Sequence, residues 1–147
     1  MGFQANPKAI LWRIHLRSPP HVVHRLLSTD AGRARFWAET AVESNGEIEF
    51  RFPNGLEHRG RIIENRPPGR FAVEYFGRTT AAFDLAPDGA GGTNLTLTET
   101  GVSEEARNEQ TAGWVSVLLA LKAAVDFSVD LRNHDPRRTW DEGYAEN

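Results

Sequence analysis

The chain has 147 residues and a formal net charge of −3, a length that suits one domain and a charge that argues against a general nucleic-acid binder. It contains no cysteine, which excludes disulfides, thiolate zinc sites, iron–sulfur clusters and thiol nucleophiles. Hydrophobic residues make up 39% and charged residues 25%, the balance of a globular chain rather than a disordered one.

Met1 to Lys8 has no basic segment followed by an apolar run, so no secretory signal is expected. Gly2 invites myristoylation, but Asn6 stands where that motif has Ser or Thr. Ile10 to Arg17 alternates, with Ile10, Trp12, Ile14 and Leu16 on one side, and predicts a half-buried strand. Ser18-Pro19-Pro20 reads as a cap followed by prolines in a first helical turn. Val22, Val23, Leu26 and Leu27 form that helix's apolar stripe. Thr29-Asp30 predicts a second cap, with a short helix over Ala31 to Trp37.

From Thr40 to Gly101 the period becomes two. Turn signals at Asn45-Gly46, Pro53-Asn54-Gly55, Pro67-Pro68-Gly69 and Pro87 to Gly92, with a weaker break near Gly77, divide this stretch into about six strands. Strands joined by such tight turns predict an antiparallel meander. The last third is helical. Ser103 is expected to cap a helix running to about Leu131, with Trp114, Leu118, Leu121, Val125 and Val129 as one stripe and Leu119, Ala123, Phe127 and Leu131 as another. The apolar run Trp114 to Val125 is too short to span a membrane and contains Lys122, so no membrane contact and a cytoplasmic location are expected. Residues 133–147 read as a polar tail in which Trp140 and Tyr144 could anchor one helical turn.

Strand, two short helices, meander and long helix resemble the helix-grip fold, an α+β architecture in which a curved antiparallel sheet of about seven strands wraps a long C-terminal helix. Ser18-Pro19-Pro20-His21-Val22-Val23 is similar to one family's start of its first helix, and Trp37 falls where that family has a tryptophan after its second helix. His58-Arg59-Gly60-Arg61-Ile62 with Pro67-Pro68-Gly69-Arg70-Phe71 resembles its central hairpin. Gly92-Thr93-Asn94-Leu95-Thr96-Leu97-Thr98 resembles its last strand, and Gly113-Trp114 with Leu118, Leu121 and Lys122 its long helix. On these residues the chain resembles the START and birch-pollen-allergen superfamily (SRPBCC), in the branch named after the activator of heat-shock-protein ATPase, and its stand-alone bacterial members in particular. The resemblance implies a single domain over residues 9–132, with the tail outside it, and an interior cavity for apolar small molecules between sheet and long helix.

Alternation then selects the inward polar groups. Leu95, Leu97 and Glu99 share a face, so Glu99 is expected inside, as a hydrogen-bonding anchor or an acid/base group whose pKa burial raises. Tyr75 shares a face with Phe71 and Val73, and His58 is in phase with Gly60 and Ile62 and could carry a proton. Glu57 and Lys122 are expected in solvent. Trp37, Phe50, Phe83, Trp114, Leu118 and Leu121 complete the expected ligand contacts. His21 and His24, or Asp130, His134 and Asp135, offer too few ligands for a metal, and no cofactor is implied.

Three functions compete. The first is binding of an apolar or aromatic small molecule in the cavity. The second is cyclase, dehydratase or hydrolase chemistry in which Glu99 transfers a proton with Tyr75 or His58. The third is interaction, as a homodimer or with a chaperone, through an apolar patch outside the cavity.

Overall fold

The computed structural model describes residues 6–147; the N-terminal signal and Gly2 readings fall at or before its start. Strand β1 (Ala9–Leu16) leads into helices α1 (Pro20–Ser28) and α2 (Asp30–Arg33). Six strands follow: β2 (Thr40–Ser44), β3 (Glu47–Arg51), β4 (Glu57–Arg66), β5 (Arg70–Tyr75), β6 (Thr79–Pro87) and β7 (Thr93–Thr100). Helix α3 (Arg107–Phe127) completes the domain. The seven strands form one antiparallel sheet in the order β1-β7-β6-β5-β4-β3-β2, a meander that β1 joins beside β7. This is the expected helix-grip arrangement.

Asn45 and Gly46, at φ 54° and 79°, make the tight turn between β2 and β3. The inward residues of each strand meet in one core: Ile48 and Phe50 from β3, Phe71 and Val73 from β5, Phe83 from β6, Leu95 and Leu97 from β7. Trp114, Leu118 and Leu121 of α3 press onto them, and all three are buried. The Trp114 stripe therefore packs as expected through Leu121.

Helix α3 stops at Phe127, about one turn before Leu131. Ser128 takes a left-handed conformation at φ 55°, and Val129 N–H turns back to the Ala123 carbonyl. Distant donors also reach the end carbonyls: Arg35 Nη2 donates to Ala124 and Arg17 Nη2 to Asp126, while Ser18 Oγ lies 3.0 Å from the Val125 carbonyl. Val129 and Leu131 consequently leave the stripe and stand about half exposed, as do Leu119 and Phe127.

Ser18 does not cap α1; Pro19 holds that position. The Val22 and Val23 amides reach the Pro19 carbonyl and Pro20 has no N–H, so little demand for a side-chain cap remains. Ser18 Oγ instead donates to the Asp126 carboxylate at 2.8 Å, which also accepts the Arg17 and Ser18 amides. Lys122 is likewise not a free solvent-facing charge, since its Nζ reaches the His15 carbonyl and Asp126. Ser103 Oγ accepts the Ala106 amide and so braces the turn ahead of α3 rather than the helix itself. The second helix is shorter than expected because, past the Thr29 cap, Arg33 turns inward, where its guanidinium donates to the carbonyls of Leu27 and Ala41 and to Asp30.

Residues 133–147 lie back against the domain. Arg132 donates to the carbonyls of Ala34 and Ala38, and His134 is held between Asp130 and Glu39 at 2.7 Å each. The Asp130 bond, with that from Glu39, raises the His134 pKa against the cost of burial. Trp140 opens a single 3-10 turn and donates to Glu109, while Asn54 donates to Asp141.

Gly60 is required where β4 bends over β5. A Cβ there would lie 1.9 Å from the Glu74 carbonyl oxygen, close to a register shift between Ile62 and Glu64. Gly60→Ala is expected to cost about 1–3 kcal/mol in urea unfolding, the usual penalty for forcing extra volume into a packed interior. An unchanged urea midpoint would mean that β4 and β5 separate freely there.

Candidate functional site

Five aromatic rings fill the space between the sheet and α3. Trp37, Phe50, Tyr75, Phe83 and Trp114 are all buried, and Trp37 packs within 6 Å of each of the other four. The spacings and tilts are those of ordinary aromatic packing. Their size is what moves open volume away from the middle of the fold.

Glu99 enters this cluster from β7 with no exposure to solvent. Its carboxylate accepts three donors: Trp114 Nε1 on Oε1 at 2.8 Å, and Thr79 Oγ1 at 2.5 Å with Gln110 Nε2 at 3.2 Å on Oε2. None of the ion pairs among the described residues includes it. Desolvation raises its pKa, and the Thr79 and Trp114 bonds oppose that shift only in part. Gln110 uses its amide nitrogen on Glu99, while its Oε1 is buried with no hydrogen-bond partner among the described residues. Tyr75 Oη accepts from Trp37 Nε1 at 3.1 Å. Burial pushes the phenol pKa well above its usual value, so Tyr75 stays neutral.

A cavity of about 710 Å³ opens beside this cluster. Its walls are the N-terminal half of α3, the turns between β3 and β4 and between β5 and β6, and residues from Leu131 to Asn147. Of the residues expected to contact ligand, Trp37, Tyr75 and Trp114 line it. Phe50, Phe83, Leu118 and Leu121 lie deeper, in the core, and Glu99 lies behind Thr79 and Gln110. His58 is turned elsewhere: its Nε2 donates to the Glu74 carbonyl at 3.0 Å, and its ring packs against Phe50, Tyr75 and Phe76.

Thr79, Gln110 and Phe76 on the wall were not singled out from the sequence. Gln110 precedes Trp114 by one helical turn, and Thr79 is in phase with Ala81 and Phe83, so both could have been found by extending periodicities already in use. The tail's contribution carried no such signal. No cluster of three or more metal-ligating side chains occurs among the described residues, and no helix there is long and apolar enough to cross a membrane.

A family model described as Activator of Hsp90 ATPase homolog 1-like protein matches residues 17–126. The chain belongs to this family. Solved structures with the same fold include the Aha1 dimer from Colwellia psychrerythraea, 22% identical, covering 81% of this chain and 96% of that one at a TM-score of 0.73. Protein SSP2350 from Staphylococcus saprophyticus is 21% identical, with 84% and 96% covered and a TM-score of 0.73. The AHSA1-like protein from Aeromonas hydrophila is 16% identical, with 82% and 93% covered and a TM-score of 0.71. No curated protein matches the chain. The family match spans β2 to β7 and nearly all of α3; the tail that walls one side of the cavity lies beyond it.

Two outcomes follow from the buried cluster. Trp114→Ala removes a buried ring and leaves Glu99 short of a donor, so urea unfolding should reveal a loss of about 3–5 kcal/mol; a loss within error would place the helix's main contact elsewhere. Glu99 has a folded-state pKa above its ordinary 4.5, so the native state holds the proton that the unfolded state gives up first. Its contribution is full below pH 4.5 and falls as pH rises through the folded value. The melting temperature of the native protein relative to Glu99→Gln should therefore decline on going up from pH 4, and a constant difference would contradict the raised pKa.

Proposed function

We propose that the protein binds an apolar or aromatic small molecule. The observation supporting this best is the 710 Å³ cavity with aromatic walls, a volume inside the range of about 300–1,000 Å³ common to small-molecule sites. Phe52, Tyr75, Phe76 and Trp114 are among the apolar residues that line it. Leu56, Leu119 and Leu131 at its edge stand about half exposed, so apolar area in water awaits a cover. We extend the reading to a cytoplasmic protein with a stress-linked role, for which the support is the family's description.

Proton-transfer chemistry is the alternative. It has less support, because Glu99 lies one side chain behind the wall and the His58 Nε2 is taken up by a backbone carbonyl. A homodimer is compatible with ligand binding, and the Colwellia protein solved as a dimer is its support.

A thermal-shift screen against flavonoids, polyketide-like aromatics, long-chain alcohols and fatty acids tests the reading. A ligand at one hundred times its dissociation constant should add about 2.7 kcal/mol. Leu119→Glu at the cavity edge should shrink that shift. Absence of any shift across the library, or a shift that Leu119→Glu leaves intact, would overturn cavity binding.

A further inference from the structure

We propose that the cavity selects hydrophobic cations: apolar or aromatic amines whose ammonium group lies at the Gln110 end. This rests on the ligand-binding reading above and adds the charge of the ligand to it. The argument begins with which hydrogen-bonding groups on the wall are already engaged.

The strong donors are engaged. Trp37 Nε1 donates to Tyr75, Trp114 Nε1 and Thr79 Oγ1 to Glu99, and Trp140 Nε1 to Glu109. Arg132 is the only guanidinium on the wall among the described residues, and it is held by Asp130 and by the carbonyls of Ala34 and Ala38. A carboxylate ligand would enter a cavity whose indole and guanidinium N–H groups already serve the protein, and would lose its hydration without replacement.

Acceptors are in surplus. Gln110 Oε1 is buried and has no partner among the described residues. Its orientation follows from Glu99: an ionised carboxylate only accepts, so the amide must turn Nε2 towards it and Oε1 away. Gln110 is a wall residue, so the negative end of its amide dipole lies just beneath the cavity surface rather than against Glu99. Among the described residues the charged wall residues are Glu109, Glu146 and Arg132, so the fixed charge on the wall is negative on balance. Phe52, Phe76 and Trp140 line the same space with part of their surface open, above the buried rings of Trp37, Tyr75 and Trp114, and aromatic rings attract an organic ammonium through their quadrupoles. An orphaned acceptor, a carboxylate with no countercharge behind it and an aromatic wall are together complementary to a desolvated ammonium and to neither an anion nor a plain hydrocarbon.

The test compares 4-phenylbutylamine, 4-phenylbutan-1-ol and 4-phenylbutanoate, which share one apolar body and differ in charge at neutral pH. Binding to the whole chain is followed by tryptophan fluorescence, since three of the four tryptophans line the cavity. The amine should bind about tenfold more tightly than the alcohol, and the carboxylate most weakly. Glu99→Gln, which keeps the side chain's size and removes its charge, should erase the amine's advantage over the alcohol. Gln110→Met removes the orphaned acceptor, together with one of the three donors to Glu99, and should weaken the amine more than the alcohol. Equal affinities for all three compounds, or a preference for the carboxylate, would overturn charge selection while leaving cavity binding intact. Binding of none of them, together with an empty thermal-shift screen, would overturn both.

Discussion

Helix α3 is held to the sheet at its centre by a bond between two buried groups, the Trp114 indole N–H and the Glu99 carboxylate. Each would be costly in an apolar interior without the other. The bond fixes more than a distance. With Trp114 turned to β7, the helical period puts Gln110 one turn earlier on the same side, where it reaches the same carboxylate. Thr79, just after the turn that follows Tyr75, completes the set. Two strands and one helix thus converge on a single side chain, and Thr79, Gln110 and Trp114, which bond to it, also line the cavity.

The ends of α3 are fastened by different means. At the N-terminal end Arg107 donates to the Ala9 carbonyl and Trp12 Nε1 to the Thr111 carbonyl, tying the helix to β1. At the other end the Asp126 carboxylate gathers the Arg17 and Ser18 amides and Ser18 Oγ. Burial alone would raise the Asp126 pKa, but these bonds outweigh it and hold the group ionised. The helix is thus tied down at both ends and in the middle. The interior is moreover filled by five large rings, and so the open volume lies beside the helix rather than beneath it.

Much of this was legible in the sequence, and the limit has a physical cause. Alternation put Glu99 inward because β7 is regular from Thr93 to Thr100 and buries every second residue. The same rule found Tyr75 and the core phenylalanines. It misplaced the end of α3, since Val129 and Leu131 continue a helical spacing that a left-handed Ser128 interrupts. That stop depends on Ser18, Arg17 and Arg35, which lie about ninety residues or more away in the chain. Ser18 was expected to cap its own helix for the same reason: a local pattern cannot register a stronger acceptor brought in from afar. His58 was in phase with inward residues, yet the bend over Gly60 carries its ring to the Glu74 carbonyl. Residues 133–147 have no periodicity to read; their position comes from individual bonds to Glu39, Asn54 and Glu109.

The division between family and chain runs through the cavity itself. The matched span, residues 17–126, supplies the rings, Glu99 and Gln110. Arg132, Trp140, Ala145, Glu146 and Asn147 come from outside it and form the facing wall. The matched span therefore contains the floor of the cavity and the polar group behind it, while part of the facing wall lies after it. That part follows from how this chain folds its last residues back, with Arg132 bonded to two backbone carbonyls rather than to a ligand. The volume enclosed beside the Glu99 cluster is set where the tail meets the helix.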